Sequence, residues 1–140
     1  MNTNKSPWKI ISSKIVYENS YGRKVREHNV IRPNGEEGTY AVLEIPLGVM
    51  ILALTEKKEI FLVSQYRFPI SQYSLELPAG AIDAGEDALT AASRELHEET
   101  GLTANNWTEL GELCFSTGSS DERSTVFLAQ ELKQTNNNEQ

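Results

Sequence analysis

Glu95, Glu98 and Glu99 fall within five consecutive residues, directly behind Arg94. Their types and spacing suit a hard divalent cation held against a phosphate. Residues four apart on a helix are surface neighbours, so Glu95 and Glu99 would present adjacent carboxylates. Two such anions on an exposed helix repel at a cost of about 0.2–0.5 kcal/mol. A cation reverses that term, because Mg²⁺ prefers oxygen ligands and keeps several of its waters. The alternative is a solvated acidic face on which Arg94 pairs with Glu98. Spacing alone leaves both readings open.

A helix must carry these groups, and the sequence predicts one over residues 86–100. Acidic Asp83, Glu86 and Asp87 sit at its start, where the helix dipole is positive. Gly101 suits the left-handed position just past its end. At about 100° per residue, Leu89, Ala92 and Leu96 fall within about 60° of one another and form the expected buried stripe. Glu99 lies beside that stripe, with Glu95, Glu98 and then Arg94 further round.

Strands are expected around this helix. Segments 9–17 and 25–32 are rich in β-branched residues and flank the turn-like Asn19-Ser20-Tyr21-Gly22. Pro33-Asn34-Gly35 is a second turn, and 39–45 reads as a third strand. Three strands bury little by themselves, so this unit must pack on something else. The apolar run 48–54 suits a buried strand, with 59–66 returning after a turn at 55–58. Shorter strands are expected at 74–77, 107–115 and 124–129, the last two joined by a loop at 116–123. The tail 133–140 is polar and is expected to be disordered. His28 is read as a strand-surface residue and Cys114 as a core residue.

The bulk properties narrow the function. A chain of 140 residues suffices for one domain with a real core. Net charge is −7 and the pI about 4.9, which argues against a non-specific nucleic-acid binder. An acidic protein that binds phosphates needs metal ions to reverse the local charge. One cysteine and two histidines exclude an internal disulfide and make a zinc site of Cys or His ligands unlike this chain. No apolar run approaches the roughly 18 residues of a membrane span. The polar start lacks a signal-peptide core, so a cytoplasmic location is expected.

Gly80, Glu86, Arg94, Glu95, Leu96, Glu98, Glu99, Gly101 and Leu102 match every fixed position of the Nudix box: G, five residues, E, seven residues, R-E-aliphatic, one residue, E-E, one residue, G-aliphatic. Nine positions at fixed spacing are far more specific than a lone GxGxxG. The chain resembles Nudix hydrolases over about 48–129. That resemblance implies an α/β (α+β) class fold, an α/β/α sandwich round a mixed sheet, with the N-terminal antiparallel strands as an addition. It implies Glu95 and Glu99 as principal metal ligands, with Glu98 sharing ligation or positioning water and the Ala79 carbonyl as another ligand. The implied ion is Mg²⁺, with Mn²⁺ as a substitute. Arg94 is expected to orient the glutamates, and Glu86 to steady the loop through Arg94 or bind an outer metal.

Residues outside the box are similar to one branch of the family. Val63-Ser64-Gln65-Tyr66-Arg67 and Glu76-Leu77-Pro78-Ala79-Gly80 resemble ADP-ribose pyrophosphatases and nucleoside diphosphate-sugar hydrolases. The implied reaction is Mg²⁺-dependent cleavage of a pyrophosphate, giving a nucleoside monophosphate and a sugar phosphate. Arg67 and Glu76 are then candidate substrate-binding residues. Tyr66 and Phe68 are aromatics that either stack on a base or join the core. The loop 116–123 reads STGSSDER, with Glu122 expected as catalytic base or extra ligand and Asp121 as its rival. The expected organisation is 1–46 as a dimerisation element, 47–130 as hydrolase domain and 131–140 as tail. The implied assembly is a two-fold homodimer, with no nucleic-acid or membrane partner. The C-terminal part is short for this branch, which leaves the second helix without an assigned segment. Two other functions remain: a nucleotide-sugar binding module without catalysis, and a nucleoside triphosphate pyrophosphohydrolase.

Overall fold

A computed structural model describes residues 6–135. The chain forms two compact units. One comprises Met1–Pro46 with Cys114–Glu122, the other Leu47–Leu113 with Arg123–Gln140.

In the first unit, β1 (Lys9–Glu18), β2 (Lys24–Ile31) and β3 (Glu37–Glu44) form an antiparallel sheet in that order. The Asn19 carboxamide closes the first hairpin by accepting from Tyr21 N–H and Arg23 N–H. Gly22 holds the left-handed conformation that this turn requires. Every residue of β1 is exposed, including Ile10, Ile11, Ile15 and Val16. The segment Cys114–Glu122 belongs here through hydrogen bonds to β3. Leu43 N–H donates to Ser119 O at 2.8 Å, Asp121 N–H to Leu43 O at 3.1 Å, and Tyr40 Oη–H to Gly118 O.

The second unit is a mixed sheet in the order β7-β4-β9-β8, covered on one face by a helix. Its strands are β4 (Gly48–Ala53), β7 (Ala79–Ala81), β8 (Leu102–Cys114) and β9 (Arg123–Gln134). β4 runs parallel to β9, from Gly48↔Ser124 to Ala53↔Ala129, and antiparallel to β7. Val49, Ile51 and Ala53 point one way from β4 and are fully buried, as a period of two demands. They meet Ala91, Ala92 and Leu96 of α1 (Ala88–Thr100), with Leu102, Phe127 and Ala129 completing the core. Burying Leu96 contributes about 1.5–3 kcal/mol. The α+β class, the mixed sheet and the N-terminal antiparallel strands agree with expectation. α1 is the single α-helix among the described residues.

Three details depart from the expected elements. The helix begins at Ala88, because Asp87 is extended and caps it, accepting from Leu89 N–H and Thr90 N–H. Such a cap is worth about 1 kcal/mol. Residues 59–66 return beside β4 only at Ile60 and Phe61, whose N–H donates to Ala53 O; β7 takes the same edge at Gly48–Met50 and β9 the other edge. Ile60 makes one bridge to Leu54, and the chain then leaves as β5 (Val63–Arg67), paired only with β6 (Gln72–Glu76). Finally, β9 continues to Gln134, into the segment read as a disordered tail, and Thr135 N–H and Oγ1–H both donate to Gly101 O. Residues 136–140 of that tail lie outside the described residues.

Candidate functional site

The helix face turned toward the sheet differs from the expected stripe. Ala91 is buried in place of Leu89, which is 44% exposed. At about 100° per residue, Ala91, Glu95, Ala88, Glu99, Ala92 and the buried Leu96 share about 140° of arc, with Leu89 just beyond its edge. The two glutamates therefore lie within the packed face, not beside it. Alanines around them let the helix approach β7 closely, and the carboxylates meet the backbone of that strand.

Glu99 is held at both oxygens. Its Oε2 accepts from Ala79 N–H at 3.0 Å and its Oε1 from the Gln65 amide at 2.9 Å. Glu95 lies against Gly80, where a Cβ would fall on its carboxylate. The glycine is needed for that approach, since its φ is not positive. Only 13% of the Glu95 side chain is exposed, against 57% for Glu98.

Arg94 organises the acids. Its Nε and Nη2 donate to both oxygens of Glu86 at 3.0 and 2.9 Å, its Nη1 to Glu95 Oε1 at 2.7 Å, and its Nη2 to Ala81 O at 3.0 Å. Glu98 stands further off at 3.5 Å, so the pairing expected on a merely solvated face is the weakest of these. Hydrogen bonding to Glu86, then to Glu95, raises the Arg94 pKa above its already high value. Arg94 in turn holds the Glu86 carboxyl below its usual range, helped by the Asp83 N–H.

A pH dependence follows. A lowered carboxyl pKa in the folded state means that folding releases protons from Glu86. Its stabilisation is full above the unfolded value, about 4.3, and is lost as pH falls through the lower folded value. The Tm gap between wild type and Glu86→Gln should be widest near neutrality and close below about pH 4. A gap that stays constant on acidification would refute the assignment.

Arg67 and Glu76 are brought together on the β5–β6 hairpin. Arg67 Nε donates to Glu76 Oε1 at 2.9 Å and Nη2 to Oε2 at 2.5 Å. This fork lowers the Glu76 pKa. The Arg67 Nη1 donors are left for another anion. Beside the hairpin, a cleft of about 430 Å³ is lined by Phe61, Val63, Gln65, Glu99 and Thr100. Tyr66 and Phe68 are not core residues: Phe68 is 84% exposed, and Tyr66 packs edge-to-face on Tyr73 at 5.5 Å.

Glu122 lies in the other unit, half-buried, with its N–H donating to Ser120 Oγ. Asp121 is engaged there by its carboxylate, which accepts from Ile45 N–H at 2.9 Å. Cys114 is exposed at the end of β8, not part of the core, because its side chain falls where the strand leaves the packed sheet. His28 is half-buried, with Nδ1 2.7 Å from Ser13 Oγ. In the same unit Trp8, His28, Val30 and Tyr40 line a cavity of about 280 Å³. Neither this cavity nor a role for Gln65 was foreseen: the cavity has no local motif, and the segment Val63–Arg67 does not show which of its side chains meets Glu99.

Among the described residues, no three His, Cys, Asp or Glu side chains converge as a cage for a metal. The donors present still fit Mg²⁺, which is ordinarily bound by one or two carboxylates together with substrate phosphates. Glu95 and Glu99 supply two hard oxygen donors, both aimed at the same short strand.

Comparison with known proteins identifies the family. The family model for the NUDIX domain matches residues 44–140, and that for the nucleoside diphosphate sugar hydrolase N-terminal domain matches 8–43. An ADP-ribose pyrophosphatase of Bacillus subtilis (strain 168) is 40% identical over 71% of this chain and 54% of its own length. An ADP-ribose pyrophosphatase of Mycobacterium tuberculosis (strain ATCC 25618 / H37Rv) is 40% identical over 79% of this chain and 54% of its own. A methanol dehydrogenase activator of Bacillus methanolicus is 33% identical over 81% and 62%. The chain thus spans little more than half the length of these relatives. The crystal structure of an ADP compounds hydrolase superposes with a TM-score of 0.78 at 26% identity, covering 94% of this chain and 74% of that one. A helix that turns two box glutamates onto the strand before it, in a chain whose residues 44–140 fit the domain model, belongs to the Nudix family.

Proposed function

We propose that this chain is the catalytic part of a Mg²⁺-dependent hydrolase acting on the pyrophosphate of ADP-ribose or a related nucleoside diphosphate-sugar. The products are a nucleoside monophosphate and a sugar phosphate. The observation that carries this reading is the pair Glu95 and Glu99, half-buried side by side against Ala79 and Gly80. The ADP-ribose pyrophosphatases of Bacillus subtilis and Mycobacterium tuberculosis, each 40% identical to this chain over the matched part, support the substrate class.

Glu95 and Glu99 would hold the ion, with Glu98 and the Ala79 carbonyl as further donors. Bound Mg²⁺ neutralises charge on the phosphate oxygens and makes water easier to deprotonate. The chain's own groups do the rest. Arg94 fixes the glutamates. Glu76 holds Arg67 so that its remaining donors meet a phosphate or ribose. Glu122 acts as the base, a choice supported by the engagement of Asp121 with Ile45.

The same reading makes 47–130, with β9 running on to Gln134, the hydrolase domain and 1–46 a dimerisation element. The exposed apolar residues of the edge strand β1 support a two-fold homodimer. The protein is read as cytoplasmic, with no nucleic-acid or membrane partner. Its net charge of −7 supports the first exclusion. No described helix is long and apolar enough to cross a membrane.

The test is turnover of ADP-ribose, ADP-glucose, GDP-mannose and nucleoside triphosphates with Mg²⁺ and with Mn²⁺. Release of AMP and a sugar phosphate is expected. Turnover of triphosphates alone would transfer the protein to the third class named above. Tight binding of ADP-ribose with no cleavage under either metal would make it a binding module.

A further inference from the structure

The helix alone does not aim Glu99. Its Oε1 accepts from Gln65, which stands on β5, 34 residues earlier in the chain. Its Oε2 accepts from Ala79 N–H on β7. A carboxylate has about four lone-pair sites, so one donor at each oxygen fixes its plane and leaves a lone pair on each. Gln65 is two residues before Arg67, and a period of two puts both on one side of β5. That side also faces the charge of Glu99, which adds to the raised pKa of Arg67 behind the larger effect of Glu76. One short strand therefore touches Glu99 through one side chain and carries the candidate substrate arginine through the next.

We infer that Gln65 is a positioning residue: it orients Glu99 for a divalent cation and makes cation binding depend on the hairpin that carries Arg67. This rests on the reading of Glu99 as a metal ligand. Outer partners that orient a ligating carboxylate are typically worth about 10–100-fold in metal affinity. A purely structural role, as cleft filler between β5 and α1, predicts lost stability with unchanged affinity.

The experiment titrates Mn²⁺ into metal-free full-length protein, following free Mn²⁺ by electron paramagnetic resonance, with no substrate present. Gln65→Met keeps the length of the side chain and removes its donor. It should weaken Mn²⁺ binding by about tenfold, with Tm in EDTA unchanged. Gln65→Ala should weaken it to the same degree, which excludes an effect of the methionine itself. Glu99→Gln separates the two layers of argument. If it binds Mn²⁺ as wild type does, the ligand reading of Glu99 fails. If it loses binding while both Gln65 variants keep wild-type affinity, the inference about Gln65 fails alone. A fall in Tm without a change in affinity also overturns it.

Discussion

Glu99→Gln is expected to cut Mg²⁺-dependent turnover by about 10³-fold, or about 4 kcal/mol of transition-state stabilisation. The substitution is isosteric, so its effect is one of charge and donor type. A carboxylate offers only acceptors, and Glu99 uses one oxygen for Gln65 and one for Ala79. Gln at this position keeps one acceptor, for the Ala79 N–H, which cannot reorient. Its amide nitrogen then faces Gln65, whose own amide can flip to present its oxygen. Both partners stay satisfied, and repulsion from Glu95 disappears. Metal-free stability should change by less than about 1 kcal/mol. A large loss of kcat with a preserved Tm is therefore the expected pattern, read by steady-state kinetics beside thermal unfolding in EDTA. Activity within tenfold of wild type would remove Glu99 from the metal centre. The same logic ranks the three acids: Glu98 is more than half exposed and 3.5 Å from Arg94, so Glu98→Gln should do less than either Glu95→Gln or Glu99→Gln.

Why some of this was legible in the sequence and some was not has physical causes. The helix was, because a cap, an apolar period and a closing glycine are all local. Its rotation was not. Hydropathy rightly picks Ala92 and Leu96 for the core but adds Leu89, whereas the packed face turns toward the small residues Ala88 and Ala91, which admit close approach to β7. β7 itself has no strand-forming residue type: Ala79-Gly80-Ala81 is extended because β4 has an edge to pair. The β5–β6 hairpin has the same cause in reverse, since β7 takes the edge of β4 at Gly48–Met50 and leaves the returning chain only Ala53 and Leu54 to pair with. The Arg94–Glu86 and Arg67–Glu76 pairs join residues that the motif and its flanks had already marked. Gln65 stands in the same flank as Arg67, but nothing local ties it to Glu99. A neutral amide acquires its place only when a strand 34 residues from Glu99 is folded against it.

Gly80→Ala should damage both stability and chemistry, and for one steric reason. The backbone of Gly80 is in a conformation open to any residue, since it is absent from the positive-φ glycines. A Cβ would nevertheless coincide with the Glu95 carboxylate. One of the two must move. β7 is held by pairing with β4, so Glu95 is the group displaced, and its bond from Arg94 Nη1 breaks. Overpacking at a partly buried site costs about 1–3 kcal/mol. A ligand displaced by about 1 Å costs about 10²-fold in rate. Gly118→Ala is the control for glycine replacement as such, because a Cβ there meets nothing within 4 Å. The decisive comparison is with Gly80→Ala/Glu95→Asp. An aspartate is one methylene shorter and vacates the space that the new methyl fills. The double variant should recover much of the lost Tm, with an interaction energy of about 0.5–3 kcal/mol in the double-mutant cycle. It should not recover turnover, since the shortened carboxylate no longer reaches the place Glu95 occupies. Strictly additive stability losses would mean that Gly80 and Glu95 do not share this space, and that the glycine serves the backbone instead.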